Sequence, residues 1–312
     1  MPDASADEQP YPLPQAFEPG KIGIVTVTYN SGQVLPEFIE SIERQQYRNF
    51  VVYAVDNASK DDTIAVLQGW QPKNLVVMAN QDNRGVAAGN NQGIRAAIAD
   101  GCEYVLLLNN DVAFEADLFG GLVEGLQQYS CAMTTPKCYY YEPKDVLWCA
   151  GGYFQPRLAY RNLHYGENER DTGQFDTPRA VTYAPTCCVL IRREVFAAVG
   201  LMDERYFVYS DDTDFMLRCL RAGQELYYLP ELKLWHKVNS LTGTASPFSM
   251  RYGVRNRAFF ITKHVATPFR QVALLSYAAY YTLRFLLCKD SYQAWKIKRK
   301  AWLEGCRMNR IA

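Results

Sequence analysis

The residues of this chain that can do chemistry gather at the ends of apolar runs. The run "LLLNNDV" (106–112) stops at Asn109, Asn110 and Asp111, two carboxamides and one carboxylate side by side. Oxygen donors of this kind suit a hard divalent cation. A second acidic group lies in "SDDTDFMLR" (210–218), where Asp211, Asp212 and Asp214 crowd at a helix start. The helix dipole favours negative charge there, while mutual repulsion raises the pKa of one member, as a general base requires. His236, after Trp235 in "ELKLWHK" (231–237), adds an imidazole. Alone, a histidine at a strand end is a packing residue. It gains weight from the carboxylates.

Four apolar runs must position these groups. "IGIVTVT" (22–28), "VVYAVD" (51–56), "LVVMA" (75–79) and "YVLLL" (104–108) read as strands. Helical patterns over 34–46, in "KDDTIAVLQGW", and over 85–99 separate them. This alternation predicts βαβ units and a parallel sheet. Ligands bind such sheets outside the C-terminal ends of the strands. Those ends carry Thr28, Tyr29 and Asn30; Asp56 and Asn57; Asn80, Asp82, Asn83, Arg84 and Gly85; and Asn109 to Asp111. Turn chemistry explains any one polar tip; four together predict a pocket. A nucleotide suits it. Asp56 can accept the imide N–H of uracil or thymine, and Asn83 and the Gly85 backbone can approach ribose and phosphates. Neither G-x-G-x-x-G nor the P-loop pattern is present.

After Asp111 the pattern changes. A helix over 115–128 leads into a Tyr-, Gly- and Pro-rich stretch (131–180), expected as short antiparallel pieces and loops. A strand over 181–193, a helix over 212–223 ended by Gly223, and a short strand over 231–237 follow. Residues 250–304 read as helical. Within them, "VALLSYAAYYTLRFLLC" (272–288) contains Arg284 and three tyrosines. It falls short of the roughly 20 apolar residues of a spanning helix, so a core or surface helix is expected.

The bulk numbers agree. The chain has 312 residues, 48% hydrophobic, with 33 Lys+Arg against 33 Asp+Glu. That fits one large globular domain with an extension and excludes a general nucleic-acid binder. Nine scattered cysteines without C-x-x-C spacing indicate a reducing cytoplasm. Residues 1–20, with five prolines and several acids, read as a disordered lead. From Lys289 onward the chain is basic, with Trp295 and Trp302 interleaved. Such a tail suits the anionic inner face of the cytoplasmic membrane, or a contact in a homo-oligomer.

With these residues in hand, the chain resembles glycosyltransferase family 2, most closely its rhamnosyltransferase-like bacterial members. The likeness spans about residues 22–262. "VTVTYNS", "VDNASKDDT", "NRGVAAGNNQG", "LLLNNDV", "CAGG", "VLIRREVFAAVGLMDERYFVYSDDTDFMLRCLRAG", "LPELKLWHK" and "YGVRN" arrive in family order. The resemblance implies an α/β GT-A fold, with a Rossmann-like, mostly parallel central sheet flanked by helices. The catalytic domain is expected over 21–248, divided into a nucleotide-binding half (21–112) and an acceptor half (113–248), with a C-terminal helical extension over 249–312. It implies inverting transfer of a sugar from a nucleotide diphosphate to a hydroxyl of a bacterial surface polysaccharide or lipid-linked glycan. dTDP-L-rhamnose is the first donor expected, and a UDP-sugar the second. Carried over by position, Asp56 binds the base, while Thr28, Tyr29, Asn30, Asn57, Asn83, Gly85 and Asn90 line the nucleotide. Asn109, Asn110 and Asp111 stand where the family has Asp-x-Asp. Asp111 and His236 are expected to hold Mn²⁺ or Mg²⁺. Asp211-Asp212 match a Glu-Asp pair with Asp212 as base, and Trp148, Asp211, Asp214 and Arg255 are acceptor or support positions. Two departures stand out: Thr186-Cys187 in place of Gly-Ala, and Asp211 in place of Glu. Asn109 also motivates a second class, a non-catalytic sugar-nucleotide or glycan binder on a degenerate GT-A fold. Asp212 and His236 argue against it.

Overall fold

The computed structural model describes residues 6–70, 74–238 and 246–308. Its first half is the expected alternation: β1 (Glu18–Thr28), α1 (Leu35–Glu43), β2 (Phe50–Asp56), α2 (Thr63–Gly69), β3 (Leu75–Ala79), α3 (Gly85–Ala99) and β4 (Cys102–Leu108). β1 to β4 are parallel, in the order β4-β1-β2-β3. Thr28 lies opposite Asp56, Asp56 opposite Ala79 and Val25 opposite Leu107, so their C-terminal ends share one edge. The apolar residues of β1, β2 and β4 bury both faces, because two core clusters form on opposite sides of the sheet. α3 packs close on β1. A Cβ on Gly93 would come within 2.4 Å of Val25, which is why this helix is built from small residues.

The second half extends the same sheet. It comprises β5 (Val112–Phe114), α4 (Leu118–Gln128), β6 (Met133–Tyr140), β7 (Leu147–Cys149), β8 (Gly152–Gln155), β9 (Arg161–His164), β10 (Arg179–Val181), β11 (Cys188–Arg192), α5 (Arg193–Val199), α6 (Asp211–Arg221) and β12 (Leu226–His236). β11 lies antiparallel between β4 and β6, and β6 runs parallel to β12. The order is β10-β12-β6-β11-β4-β1-β2-β3, with β5 on β12 and β7 on β6, while β8 and β9 form a separate hairpin. Three helices close the chain: α7 (Pro247–His264), α8 (Phe269–Leu286) and α9 (Tyr292–Arg307).

Several expectations need correction. The stretch 131–180 is not all short pieces, since β6 is a full interior strand. The strand expected over 181–193 begins at Cys188, and the last strand reaches back to Leu226. The expected disordered lead is docked from Ala6 onward. Leu201 N donates to Asp7 O and Tyr11 N to Phe196 O, so its backbone is held by the domain. The boundary drawn at 248 cuts through α7, whose Phe259 and Phe260 complete the main core. Of the three C-terminal helices, only α8 has no buried residue.

Candidate active site

The sheet brings Asp111 and His236 together by register. β5 pairs with the end of β12, His236 opposite Val112, and Lys237 N donates to Asp111 O at 2.9 Å. Asp111 Oδ1 and His236 Nε2 are therefore 3.2 Å apart, both on buried residues. Two ligand atoms on neighbouring corners of an octahedron, each about 2.1 Å from a cation, lie about 3 Å apart, so the pair fits a shared Mg²⁺ or Mn²⁺. One carboxylate and one imidazole favour Mn²⁺ on ligand type. His236 Nδ1 is buried and has no hydrogen-bond partner among the described residues. The Trp148 ring stands edge-on at 4.5 Å and fixes the imidazole by packing, where a metal-bound histidine usually has a hydrogen-bonding partner.

Asp211 and Asp212 open α6, with Ser210 before them in the left-handed region at φ 62. Asp212 is half-buried. Tyr183 Oη donates to its Oδ2 at 2.7 Å, and Thr213 N to its Oδ1 at 2.7 Å. Asp211 is buried, and burial followed by the adjacent Asp212 charge pushes its carboxyl up to about 8. At neutral pH the Asp211 carboxyl is thus mainly protonated. Burial and Asp212 also push the Tyr183 phenol well above its ordinary value, so it stays a donor.

An aromatic bridge connects the two acidic groups. Tyr183 stacks on His164 at 5.7 Å, His164 Nδ1 donates to Trp148 O at 3.0 Å, and Trp148 meets both His164 and His236 edge-on. Of these residues, sequence reasoning found Trp148, Asp212, Asp111 and His236. It missed His164 and Tyr183, which sit in the tyrosine-rich stretch where no periodicity marks them.

The polar tips of β1 to β4 converge on one edge, but much of their polarity is turned on itself. Asp56 is buried and accepts from Thr28 Oγ1 (2.9 Å), Ser59 N (2.9 Å) and Ser59 Oγ. Asn57 donates to Gly85 O and accepts from Asn80, both at 3.0 Å. Asn83 Oδ1 accepts from Gly85 N at 2.9 Å, and Asn110 Nδ2 donates to Val27 O at 2.6 Å. Asn110 Oδ1 is buried and has no partner among the described residues. Asn30 accepts from Lys60 N at 2.8 Å, and Asn90 reaches the Met202 sulfur at 3.5 Å. Tyr29 is exposed and Asn109 half-buried at the same edge.

Gly85 and Asp214 both serve the fold. Gly85 is needed for the protein's own chain. At φ +85, a Cβ would come within 2.4 Å of Phe207 O, so its missing side chain admits the 207–210 loop. Asp214 belongs to a buried ion network away from Asp212. Lys263 Nζ (2.6 Å), Arg218 (2.9 Å) and His264 (2.7 Å) surround it. Burial opposes its ionisation, yet these partners outweigh burial and hold its carboxyl well below the usual range. Glu8, Asp203 and Asp214 resemble a metal cluster, but Lys263 Nζ contacts all three and its ammonium fills the cation's place.

Arg255 is a support residue. It donates to Arg205 O and Tyr206 O at 2.8 and 2.7 Å. Its neighbour Asn256, which sequence reasoning missed, faces the carbonyls of Tyr206, Val208 and Tyr209 at 2.6 to 2.9 Å. Phe207, Tyr209 and Ser210 all have positive φ, so this loop is strained, and α7 holds it in place before Asp211.

The family model of glycosyl transferase family 2 matches residues 23–200. Over 248 residues the chain is 24% identical to dTDP-rhamnosyl transferase RfbF of Shigella flexneri, covering 77% of this chain and 79% of that one. Over 246 residues it is 26% identical to N-acetylglucosaminyl-diphospho-decaprenol L-rhamnosyltransferase of Mycobacterium tuberculosis, covering 70% and 77%. Among solved structures it is similar to GalNAc-T7 with UDP, GalNAc and Mn²⁺, with a TM-score of 0.59 at 14% identity, covering 77% of this chain and 49% of that one. The structural likeness shows the GT-A fold.

Proposed function

We propose, from the premise that this chain belongs to glycosyl transferase family 2, that it is an inverting, metal-assisted transferase. In this reading it moves L-rhamnose from dTDP-L-rhamnose to a hydroxyl of a bacterial surface polysaccharide or lipid-linked glycan. That it is a glycosyltransferase follows from the family; donor, stereochemistry and metal are the proposal. The observation that carries it is the joining of Asp212 to the Asp111–His236 pair through Tyr183, His164 and Trp148. The names of the Shigella and Mycobacterium relatives support rhamnose as the sugar, and the latter supports a polyprenyl-diphosphate-linked acceptor.

Inversion is one in-line displacement. The acceptor oxygen bonds to the anomeric carbon as the bond to the diphosphate oxygen breaks, and the hydroxyl proton passes to Asp212. Tyr183 and Thr213 fix both oxygens of that carboxylate, so it is aimed before substrate arrives. Neutral Asp211 lessens repulsion of a second anion beside it. A cation held by Asp111 and His236 supplies, when bound, electrostatic stabilisation for the leaving diphosphate. Asp56 supports binding of an imide edge, which thymine and uracil share, so a UDP-sugar is the second reading of the donor.

The test is a thermal-shift and mass-spectrometric screen of dTDP- and UDP-sugars with Mn²⁺ against glycan and polyprenyl-diphosphate acceptors. Stabilisation and product with dTDP-L-rhamnose support the proposal. No response to any dTDP or UDP species removes the donor assignment. Full turnover by Asp212→Ala removes the base assignment.

A further inference from the structure

We infer that α8 is an interfacial helix that seats the protein on an anionic lipid surface. The basic tail was expected to carry such a contact through its tryptophans, but the structure turns both inward. Trp302 is buried and stacks on Tyr277 at 5.9 Å, and Trp295 stacks on Phe285 at 5.2 Å. What they support is α8 itself. Its inner side, with Tyr277 and Tyr281, packs on α7 and α9. Its outer side exposes Phe269 (73%), Val272 (62%), Leu275 (70%), Leu283 (53%) and Leu286 (67%), with Leu287 (57%) just beyond the helix end. At 100° per residue, all six fall on one side of the helix. A contiguous apolar strip of this length is rare on a monomer's free surface and marks a contact.

Charge identifies the occupant. Between residues 266 and 303 the sequence has seven Lys or Arg and one acid, Asp290. That acid is already paired with Arg284 (3.1 Å) and Lys298 (2.8 Å). Lys289, Lys296, Arg299 and Lys300 are exposed around the α8–α9 turn and further along α9. An apolar strip beside an uncompensated cationic border matches anionic headgroups over acyl chains. Mating two copies through this face would bring like charges together. No described helix is long and apolar enough to cross a membrane, so the contact lies in the interface plane. The 18-residue helix would lie along it for about 27 Å.

This inference extends the reading of a lipid-linked acceptor, yet it is tested without turnover, so either can fail alone. The full-length protein is floated with phosphatidylglycerol/phosphatidylethanolamine vesicles and with pure phosphatidylcholine vesicles. Wild type is expected to float with the first and to bind the second at least tenfold less. Leu275→Glu with Leu283→Glu, both exposed, is expected to lower binding at least tenfold with an unchanged melting temperature. Lys296→Glu with Lys300→Glu is expected to lower it only on the anionic vesicles. Absence of wild-type binding to anionic vesicles overturns the inference. So does sedimentation showing a dimer that the leucine substitutions dissociate while vesicle binding persists.

Discussion

Tyr183 holds Asp212 by a 2.7 Å hydrogen bond from a phenol that burial keeps protonated. It reaches across from the loop before β11 to the first turn of α6, tying the proposed base to the sheet. Tyr183→Phe removes one charge-assisted bond, a difference of about 1.5–3 kcal/mol in such cases. The expected outcome is a kcat lower by roughly 10- to 100-fold with donor KM unchanged. Steady-state kinetics check this; a change confined to KM would place Tyr183 in donor binding instead.

Asp211 carries a pH signature. Its folded value of about 8 stands above the ordinary aspartate value of 3.8, so its contribution to stability is complete below about 4 and is lost as pH rises through 8. Asp211→Asn keeps the shape and removes the ionisation. Its unfolding free energy should gain on wild type progressively between about pH 4 and 8, by at most about 1.4 kcal/mol per pH unit, with the melting temperature rising in step. Parallel melting curves across that range would show that Asp211 is not held neutral.

Asn256 faces three carbonyls of the loop that delivers Asp211. Asn256→Ala leaves them without that donor and should cost about 1–3 kcal/mol in urea unfolding. Turnover should fall in the folded variant as well, because the loop sets where α6 begins. Loss of stability with full turnover would separate the loop from catalysis.

Gly85→Ala is expected to destabilise by about 2 kcal/mol or more, combining a disfavoured φ with a clash. The nearest atom is the Phe207 carbonyl oxygen, at 2.4 Å from the added Cβ. Phe207→Ala therefore should not rescue it. Rescue would assign the close approach to the aromatic ring.

Metal binding should depend on nucleotide, because Asp111 and His236 offer only one carboxylate and one imidazole. Calorimetric titration of Mn²⁺ should show weak binding to the bare protein and at least tenfold tighter binding with dTDP or UDP. Asp111→Asn should abolish the tight phase, and chelation should remove activity reversibly. Asn109→Asp should strengthen binding to the bare protein about tenfold by restoring an anion. An unchanged affinity would show that residue 109 touches neither the ion nor its waters.

The first half was legible because its signals agree: β3 occupies the expected Leu75–Ala79, and β2 and β4 end where expected. β6 was not. Pro136 and Lys137 read as a loop, yet Pro136 lies where β12 shifts register between Leu229 and Lys233. Lys137 is buried and neutralised by Asp171 at 2.9 Å and by Asp176. Within the site, Asp111 and His236 were recognisable as chemistry, but their pairing needed the β5–β12 register. His164, Tyr183 and Asn256 act through contacts distant in sequence, which periodicity does not encode. Asp214 looked like its neighbours and differs only because helical geometry turns it toward Lys263.

The sheet order has a consequence for synthesis. β1 to β4 arrive consecutively and pair in parallel, but β4 acquires its other neighbour only when Cys188–Arg192 have been made. β6 waits longer, for Leu226–His236. A chain emerging from the ribosome therefore carries an open, apolar strand edge while about 80 further residues are translated, several seconds at usual elongation rates. Such an edge is a template for pairing with another chain. Refolding yield from denaturant should accordingly fall steeply as protein concentration rises, and a chaperone that shields strand edges should restore it.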